Sequence, residues 1–397
     1  MTPAQVPVML LGGINLVRAL GLARIPVIVA TPDKDAPATR SRYCGEVCEL
    51  PPVAQGPAVA ERLLRAGARL HRDLGERIPL FYGDDDYLGI VQDFRAALSE
   101  HYAFLLNDAA LARALHSKAL FQALAERRGL PVPRRLDWDS VEHFQGEVLV
   151  KPSTKTDWAT SAVQHRLFGG VGKARVFSSG RAARQNSLVQ RLAGDLTFQE
   201  YVPGDDRSLW SFHGFADESG ELLEWFVGRK IRTYPQLTGD SSFLELVHSE
   251  ELEVLGRDMV RRLGLKGVFK IDFKRHARTG EFHILEVNAR FNLWHYLGAK
   301  NGVNLARVAY DYLTRGARPE HVAARTDYRW LCARLDFKAF RDTPGLRVED
   351  WLKSLLTSRK VYDTFAWSDP MPFLVELHRT ELPQLKRRVL RWLSTAS

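Results

Sequence analysis

The sequence predicts an α/β (α+β) chain, on three observations. Residues 6–33, VPVMLLGGINLVRALGLARIPVIVATPD, read as an apolar strand, a Gly12-Gly13 turn, a helix and a second apolar strand ending at Asp33, which is a βαβ opening. Helical periodicity over 57–75, the strand IPLFYG and the helix YLGIVQDFRAALSEH continue the alternation. GVFKIDFK and EFHILEVN are β-rich runs joined by a short turn at Arg278, Thr279 and Gly280, which reads as a hairpin.

Length and composition bound the rest. The 397 residues suggest two or three domains, and 45% hydrophobic with 26% charged residues excludes disordered, fibrous and small disulfide-stapled classes. The formal charge of +9 is spread along the chain and admits an anionic partner; a phosphorylated small molecule satisfies it as well as nucleic acid or a membrane surface does, so the charge alone decides little. Three cysteines, Cys44, Cys48 and Cys332, cannot make a disulfide framework, and no second Cys or His pair completes a zinc set with Cys44 and Cys48. The N-terminus lacks a positive region before its apolar run, and Arg18 and Arg24 interrupt the best membrane-span candidate, so the expectation is cytoplasmic.

Taken in order, GGINLV lacks the G-x-G-x-x-G spacing that lets a pyrophosphate approach the backbone. A helix-on-sheet layer with tight turns is the preferred reading, and a dinucleotide site with Asp33 on the ribose is the alternative. Asp84, Asp85 and Asp86 precede a helix, where carboxylates favour the dipole; three exceed what one cap needs, so the loop could also face a ligand. Residues 107–133, NDAALARALHSKALFQALAERRGLPVP, read as one helix with a stop signal at Gly129 and Pro131, followed by the strand of EVLVKPS. FGGVGK is a glycine turn, LTFQEYVPGDD an extended run with a Pro203-Gly204 turn, LLEWFVGRKIRTYP strand, and 249–263 helix. LPQLKRRVLRWL near the C-terminus has apolar residues at helical spacing with Lys386, Arg387, Arg388 and Arg391 between them. It reads as a helix packed on the core, with peripheral membrane contact as the alternative.

The hairpin carries the chemistry. With the turn centred on Thr279, residues whose numbers sum to 558 face each other, so Asp272 lies opposite Glu286. Asn288 is two residues beyond Glu286 and shares its face. Two carboxylates and an amide oxygen are hard ligands that suit Mg²⁺, or Mn²⁺ in its place. Ile271, Phe273, Leu285 and Val287 would face the core, although Phe282 and Ile284 break the alternation. The competing reading is a surface hairpin whose acids are offset by Lys270 and Lys274.

The succession LHSKALFQALAERRGLPVP, VLVKPS, FQEYVPGDD, KIDFK and LEVNAR resembles the ATP-grasp superfamily in order and spacing over residues 107–315. Within it, the whole chain is most similar to carboxylate-amine ligases of the D-aspartate-ligase-like kind, including YDTFAWSDPMPFL. The resemblance implies a Rossmann-like domain at 1–106 and an ATP-grasp fold of two α+β subdomains at 107–315 with a lid at about 117–199. The remaining 316–397 would be a C-terminal extension packed on the core. It implies that Lys118 and Lys151 hold ATP phosphates, that Glu200, Tyr201 and Val202 form the hinge receiving adenine, and that Asp206, or the adjacent Asp205, binds the ribose. It implies further that Asp272, Glu286 and Asn288 are the magnesium ligands and that Arg290 steadies the transferred phosphoryl group. Lys230 and Arg232, two apart on a strand, are a candidate further phosphate clamp. On the substrate side stand Asn292, Trp294 and His295, with Asp85 and Asp86 across the cleft, and His295 has a packed aromatic as its equal alternative. The sequence departs from the family where PSTKTDWATSAVQHRL intervenes before GGVGK, which leaves the phosphate-covering loop open.

The activity so implied is ATP- and Mg²⁺-dependent joining of a carboxylate to an amine, one of them an amino acid, through an acyl phosphate. A homodimer would be usual for this kind of enzyme. The rival readings are a nicotinamide oxidoreductase using the βαβ unit and a non-enzymatic anion-binding protein. No aromatic-basic motif supports nucleic acid as a partner.

Overall fold

A computed structural model of the chain describes residues 5–153, 167–168 and 174–382. Most of the FGGVGK turn, the preceding PSTKTDWATSAVQHRL segment beyond Ser153 and the basic C-terminal run beyond Leu382 lie outside the described residues.

The N-terminal region is a five-stranded parallel sheet built from β1 (Val8–Leu11), β2 (Val27–Thr31), β3 (Cys44–Glu49), β4 (Ile78–Tyr82) and β5 (Tyr102–Ala103), in the order β3-β2-β1-β4-β5. All four residues of β1 and all five of β4 are buried, as strands with helices on both faces require. The glycines that end β1 and β4 serve backbone approach: a Cβ on Gly83 would lie 3.3 Å from Gly12 Cα. Asp33 is held by Arg379 at 2.8 Å, so the carboxylate that the dinucleotide alternative needs is engaged with the C-terminal extension.

A second, antiparallel sheet contains β6 (Arg135–Leu136), β7 (Val148–Pro152), β8 (Arg175–Phe177) and β9 (Leu196–Glu200), ordered β6-β9-β7-β8. The third contains β10 (Leu209–Ala216), β11 (Leu222–Tyr234), β12 (Asp240–Leu246), β13 (Gly267–Arg275), β14 (Phe282–Asn288), β15 (Tyr328–Leu331) and β16 (Arg359–Tyr362), ordered β14-β13-β10-β11-β12-β15-β16. One face of this seven-stranded sheet buries Phe212, Phe269, Ile271 and Phe273 against the helix Glu250–Leu263. The other contributes Phe215, Phe226 and Leu244 to a core shared with the parallel sheet. That shared core brings the two regions into register, because Phe291 stacks on Phe81 at 4.3 Å and its N–H donates to the Tyr82 carbonyl. Among the described residues no helix is long and apolar enough to cross a membrane.

The single helix expected within 107–133 is two, Ala109–His116 and Lys118–Arg127. Ser117 takes an extended conformation between them and its hydroxyl accepts from the Leu120 N–H, so a cap interrupts what periodicity alone reads as continuous. The break puts Lys118 at the start of the second helix.

The extension reaches back to the first helix. Arg18, fully buried on the helix Ile14–Leu22, donates to Asp369 Oδ2 at 3.0 Å and to the carbonyls of Thr364 and Asp369. Asp369 also accepts from Ser41 Oγ and the Arg42 N–H. Removing one member of a buried pair strands the other charge, a loss of about 3–5 kcal/mol. Asp369→Ala should therefore lower unfolding free energy in urea by that order, whereas Arg18→Met with Asp369→Leu should lose less than the single variant. A single-variant loss below about 1 kcal/mol would contradict this placement.

Candidate active site

The site is built on the hairpin of β13 and β14. Asp272 pairs directly with Glu286, Ile271 with Val287 and Lys270 with Asn288, so the expected sum of 558 holds at this end. Nearer the turn the sum is 557: Phe273 pairs with Ile284, Lys274 with His283 and Arg275 with Phe282. Leu285 is the extra residue, a β-bulge. The bulge explains the broken alternation, because Phe282 and Ile284 before it and Val287 after it all reach the core. It also corrects the expectation for Leu285, which is only half-buried.

Around the two acids the charges alternate. Lys270 Nζ lies 2.6 Å from Asp272 Oδ2. Asn288 Nδ2 lies 3.0 Å from Glu286 Oε1 and 3.4 Å from Asp272 Oδ2. Burial lifts the Asp272 carboxyl above its usual range, Lys270 opposes this, and the Glu286 charge adds to it. For Glu286 burial pushes upward too, but the Lys270 ammonium and hydrogen bonding with Asp272 and Asn288 win and bring it to about 2. Glu286 faces the open cleft and keeps solvent access.

The competing reading of the hairpin is half right: Lys270 does offset Asp272, but on a buried strand. A divalent cation still fits. Asp272 Oδ1 is buried without a hydrogen-bond partner among the described residues, an acceptor that a metal would satisfy. Turning the Asn288 amide over presents its oxygen to the same place. Among the described residues no group of three or more His, Cys, Asp or Glu side chains could hold a metal ion, so a cation here would rest on two carboxylates, an amide and oxygens from water or phosphate.

Lysines enter from both sides. Lys118 Nζ donates to the Pro152 carbonyl at 2.8 Å, beside Lys151 on β7. Burial and then the Lys118 charge pull the Lys151 ammonium down to about 8, while Glu286 acts in the opposite sense. Lys230 on β11 is likewise lowered by burial, and Asp272, Glu286 and Asp206 are near enough to counteract that.

Arg232 does not join it. The register slips between the two residues, so that Lys230 pairs with Leu244 and Arg232 with Phe243, adjacent residues whose side chains leave opposite faces. The Arg232 guanidinium is buried in a bidentate pair with Asp336 at 2.7 and 2.9 Å, which corrects the expected clamp.

Arg290 follows β14 and meets the parallel sheet. Its Nε and Nη2 donate to Asp85 at 2.5 and 3.3 Å, and Nη2 also reaches Asn288 Oδ1 at 3.3 Å. Asp85 stands three residues after Tyr82, whose carbonyl holds the residue following Arg290, so the shared core aims this pair. Asp86 is exposed and takes no part in these contacts.

In the hinge segment, the Glu200 N–H donates to Arg134 and the Tyr201 N–H to Glu147, but the Val202 N–H has no acceptor among the described residues. The Tyr201 ring carries Lys274 Nζ at 4.1 Å, and burial draws Lys274 down to about 8. Asp206 is buried, and its oxygens accept from the Thr233 N–H and Oγ1 and the Leu237 N–H, bracing the bend after β11. Its expected ribose role is corrected to that extent, and the exposed Asp205 is the freer acid.

The substrate-side expectations also change. Trp294 packs where Gly228 makes room, since a Cβ there would fall 2.2 Å from its ring. His295 is fully buried, with Nδ1 against the Asn292 backbone. Both are core, the packed alternative for His295. Asn292 is half-buried, with Oδ1 capping Trp294 and Nδ2 without a partner among the described residues.

Sequence reasoning missed Lys274 on the hinge tyrosine and His213. His213 is buried opposite Lys270 and bonded to Ser211, which faces Asp272. The period-2 run Lys270, Asp272, Lys274 was a signal for the first; nothing local marks the second.

Comparisons agree with this architecture. Residues 195–332, roughly a third of the chain, match a family described as ATP-grasp in the biosynthetic pathway with Ter operon. The chain is similar to D-aspartate ligase of Enterococcus faecium (strain Aus0004), 21% identical over 292 residues, covering 69% of this chain and 68% of that one. Among solved structures it is similar to the biotin carboxylase domain of 2-oxoglutarate carboxylase from Hydrogenobacter thermophilus, in complex with MgADP, ADP and bicarbonate. That likeness has a TM-score of 0.57 and 15% identity and covers 82% and 73% of the two chains. The L-amino acid ligase from Bacillus licheniformis gives a TM-score of 0.55 and 12% identity over 79% and 75%. N5-carboxyaminoimidazole synthetase from Staphylococcus aureus, complexed with ADP, gives 0.58 and 9% over 80% of each. At these identities the solved structures speak for the fold.

The lowered Lys151 has a consequence for stability. Between pH 8 and 10.5 the unfolded chain holds this proton and the folded chain has lost it, so the parent gains stability as pH rises through that window. Lys151→Met lacks the term. Its stability relative to the parent should be highest near neutral pH and should shrink steadily toward pH 10, measured by urea unfolding. A pH-independent difference would contradict the burial of this charge.

Proposed function

We propose that this chain, a member of the ATP-grasp superfamily, is an ATP- and Mg²⁺-dependent ligase that joins a carboxylate to an amine, one of the two partners being an amino acid. The observation that carries the reading is the convergence on one cleft of an opposed carboxylate pair, Asp272 and Glu286, with Lys118, Lys151, Lys230, Lys270 and Arg290. Acids alone would suit a resident cation and bases alone an anion. Both together suit a metal-bound polyphosphate.

In this reading the Val202 N–H, with no acceptor among the described residues, receives the adenine edge, while Lys118 and Lys151 bind phosphate oxygens. Asp272, Glu286 and Asn288 would hold magnesium, whose contribution is to neutralise charge on the phosphates. An oxygen of the substrate carboxylate attacks the γ-phosphorus, the bond to the β-phosphate oxygen breaks, and ADP leaves. The uncharged amine nitrogen then attacks the acyl carbon, phosphate departs with the bonding pair, the nitrogen's surplus proton passes to solvent or the departing phosphate, and the amide remains. Asp85 occupies Nε and one edge of Arg290, which leaves Nη1 for the transferred group. Asp85 is thus an orienting group for Arg290 and, within the cleft, a candidate contact for the ammonium of the amine. The lid at about 117–199, turning near Glu200, excludes water that would hydrolyse the acyl phosphate.

A phosphate-release screen of amino acids and small acids with MgATP, alone and in pairs, tests the reaction. Phosphate and ADP should appear only with one particular pair, whereas AMP and pyrophosphate as products would contradict it. Each charge-assisted phosphate contact contributes about 1.5–3 kcal/mol, so Lys118→Met and Lys151→Met should each weaken ATP binding roughly 10- to 100-fold with the fold intact. Unchanged calorimetric affinity in both would remove them from the site.

A further inference from the structure

A cavity of about 660 Å³ opens beside the hinge, walled by the turn Asp205–Ser208 and by the hairpin turn Arg275–Gly280. It adjoins the candidate nucleotide site at Asp205, but its floor lies elsewhere. Its floor is Trp210 and Arg229, which pair with each other across β10 and β11, and Trp210 pairs with Phe273. Asp272 and Lys274 alternate with Phe273 and project from the opposite face of the sheet. The ligase reading therefore uses none of the floor residues.

The lining is strongly basic. Arg207, Arg229, Arg275 and Arg278 contribute four guanidinium groups against the single carboxylate of Asp205. Two of them are held in place by the protein. Arg229 donates to Glu245 through Nε at 3.0 Å and Nη2 at 2.5 Å, and lies over the Trp210 ring at 5.1 Å. Glu245 is itself buried and takes a second arginine, Arg329, at 2.9 Å, so it serves as a fixed buttress. Arg275 closes its own turn by donating from Nε to the Gly280 carbonyl, and its Nη2 stands 3.6 Å from Glu251. Arg207 and Arg278 are exposed on the two opposing walls, and neither side chain has a carboxylate partner among the described residues.

Like charges gathered on facing walls repel; Arg229 and Arg275 have structural partners of their own, but none holds Arg207 and Arg278 among the described residues. One anchored guanidinium group at the floor, one anchored in the hairpin wall and two uncommitted ones at the rim match a ligand with several adjacent anionic oxygens. The planar guanidinium fork fits phosphate oxygens two at a time. The volume is that of a small-molecule site. We propose that this cavity is a second anion site, which binds a ligand carrying a diphosphate or triphosphate group. The inference does not depend on the ligase reading, because its four arginines and its face of the sheet are different; only Asp205, the alternative ribose acid, is common to both.

Inorganic pyrophosphate is the probe, titrated calorimetrically into the full chain in the Lys151→Met background so that the cleft contributes little. Arg207→Ala combined with Arg278→Ala should weaken pyrophosphate at least tenfold without changing the melting temperature of the free protein, since both residues are exposed. Arg65→Ala combined with Arg72→Ala, on the distant helix Gly56–Leu74, removes the same charge and should leave the affinity within twofold. Tricarballylate, a compact tricarboxylate, should bind at least tenfold more weakly than pyrophosphate. Equal loss in the two double variants would reduce the effect to net charge, and unchanged affinity in the Arg207/Arg278 variant would place the binding elsewhere. Either result overturns the proposal, and equal binding of the tricarboxylate overturns its phosphate assignment.

Discussion

Two carboxylates that face each other across a strand pair repel, and Asp272 and Glu286 do so on a sheet whose next layer is buried. Such a pair is stable only where its charge is answered, and much of the surrounding structure supplies the answer. Lys270 touches one acid, Asn288 bridges both, and Lys230 and Lys151 lie within reach of their field. The arrangement is nevertheless incomplete, because Asp272 Oδ1 is buried with no partner among the described residues. In the proposed reading, an acid pair in this condition would receive a cation that arrives with its own further ligands.

The placement of these groups depends on irregularities in the strands. The bulge at Leu285 restores at Asp272 and Glu286 the pairing that a turn centred on Thr279 would give. The turn itself is offset: the His276 N–H bonds to the Glu281 carbonyl and the Gly280 N–H to the His276 carbonyl. The sequence-based register was therefore correct at the site through two compensating shifts, and the misfit of Phe282 and Ile284 was the trace of one of them. On β11 the same physics worked against the sequence. A slip between Lys230 and Arg232 sends two residues spaced as neighbours to opposite faces, where Asp336 receives the arginine. Local patterns such as strand periodicity, glycine turns and the lysine before Pro152 were legible. Slips of register, and the cap at Ser117 that splits a continuous periodicity, depend on contacts distant in sequence.

The link between the parallel sheet and the cleft was the least legible part. Asp85 finds Arg290 because the Phe291 N–H bonds to Tyr82 and its ring stacks on Phe81, residues separated by more than two hundred positions. The acidic triplet read as more than a cap for a sound reason, yet only Asp85 of the three meets the cleft's arginine. Trp294 and His295 show the opposite error. Their nearness in sequence to the metal strand suggested substrate contact, but the helix that carries them turns them into the shared core, against His213 and Phe226.

The most direct measurement is of the cation itself. Mn²⁺, which is paramagnetic and a common stand-in for Mg²⁺, can be titrated by electron paramagnetic resonance into the parent and into Asp272→Asn, each with and without ADP. Binding in the parent should be tightened at least tenfold by ADP, and in Asp272→Asn that ADP-dependent component should be lost while the fold persists. Mn²⁺ binding that ADP does not affect, or that Asp272→Asn leaves unchanged, would contradict the reading of the opposed carboxylates as the seat of a nucleotide-bound metal.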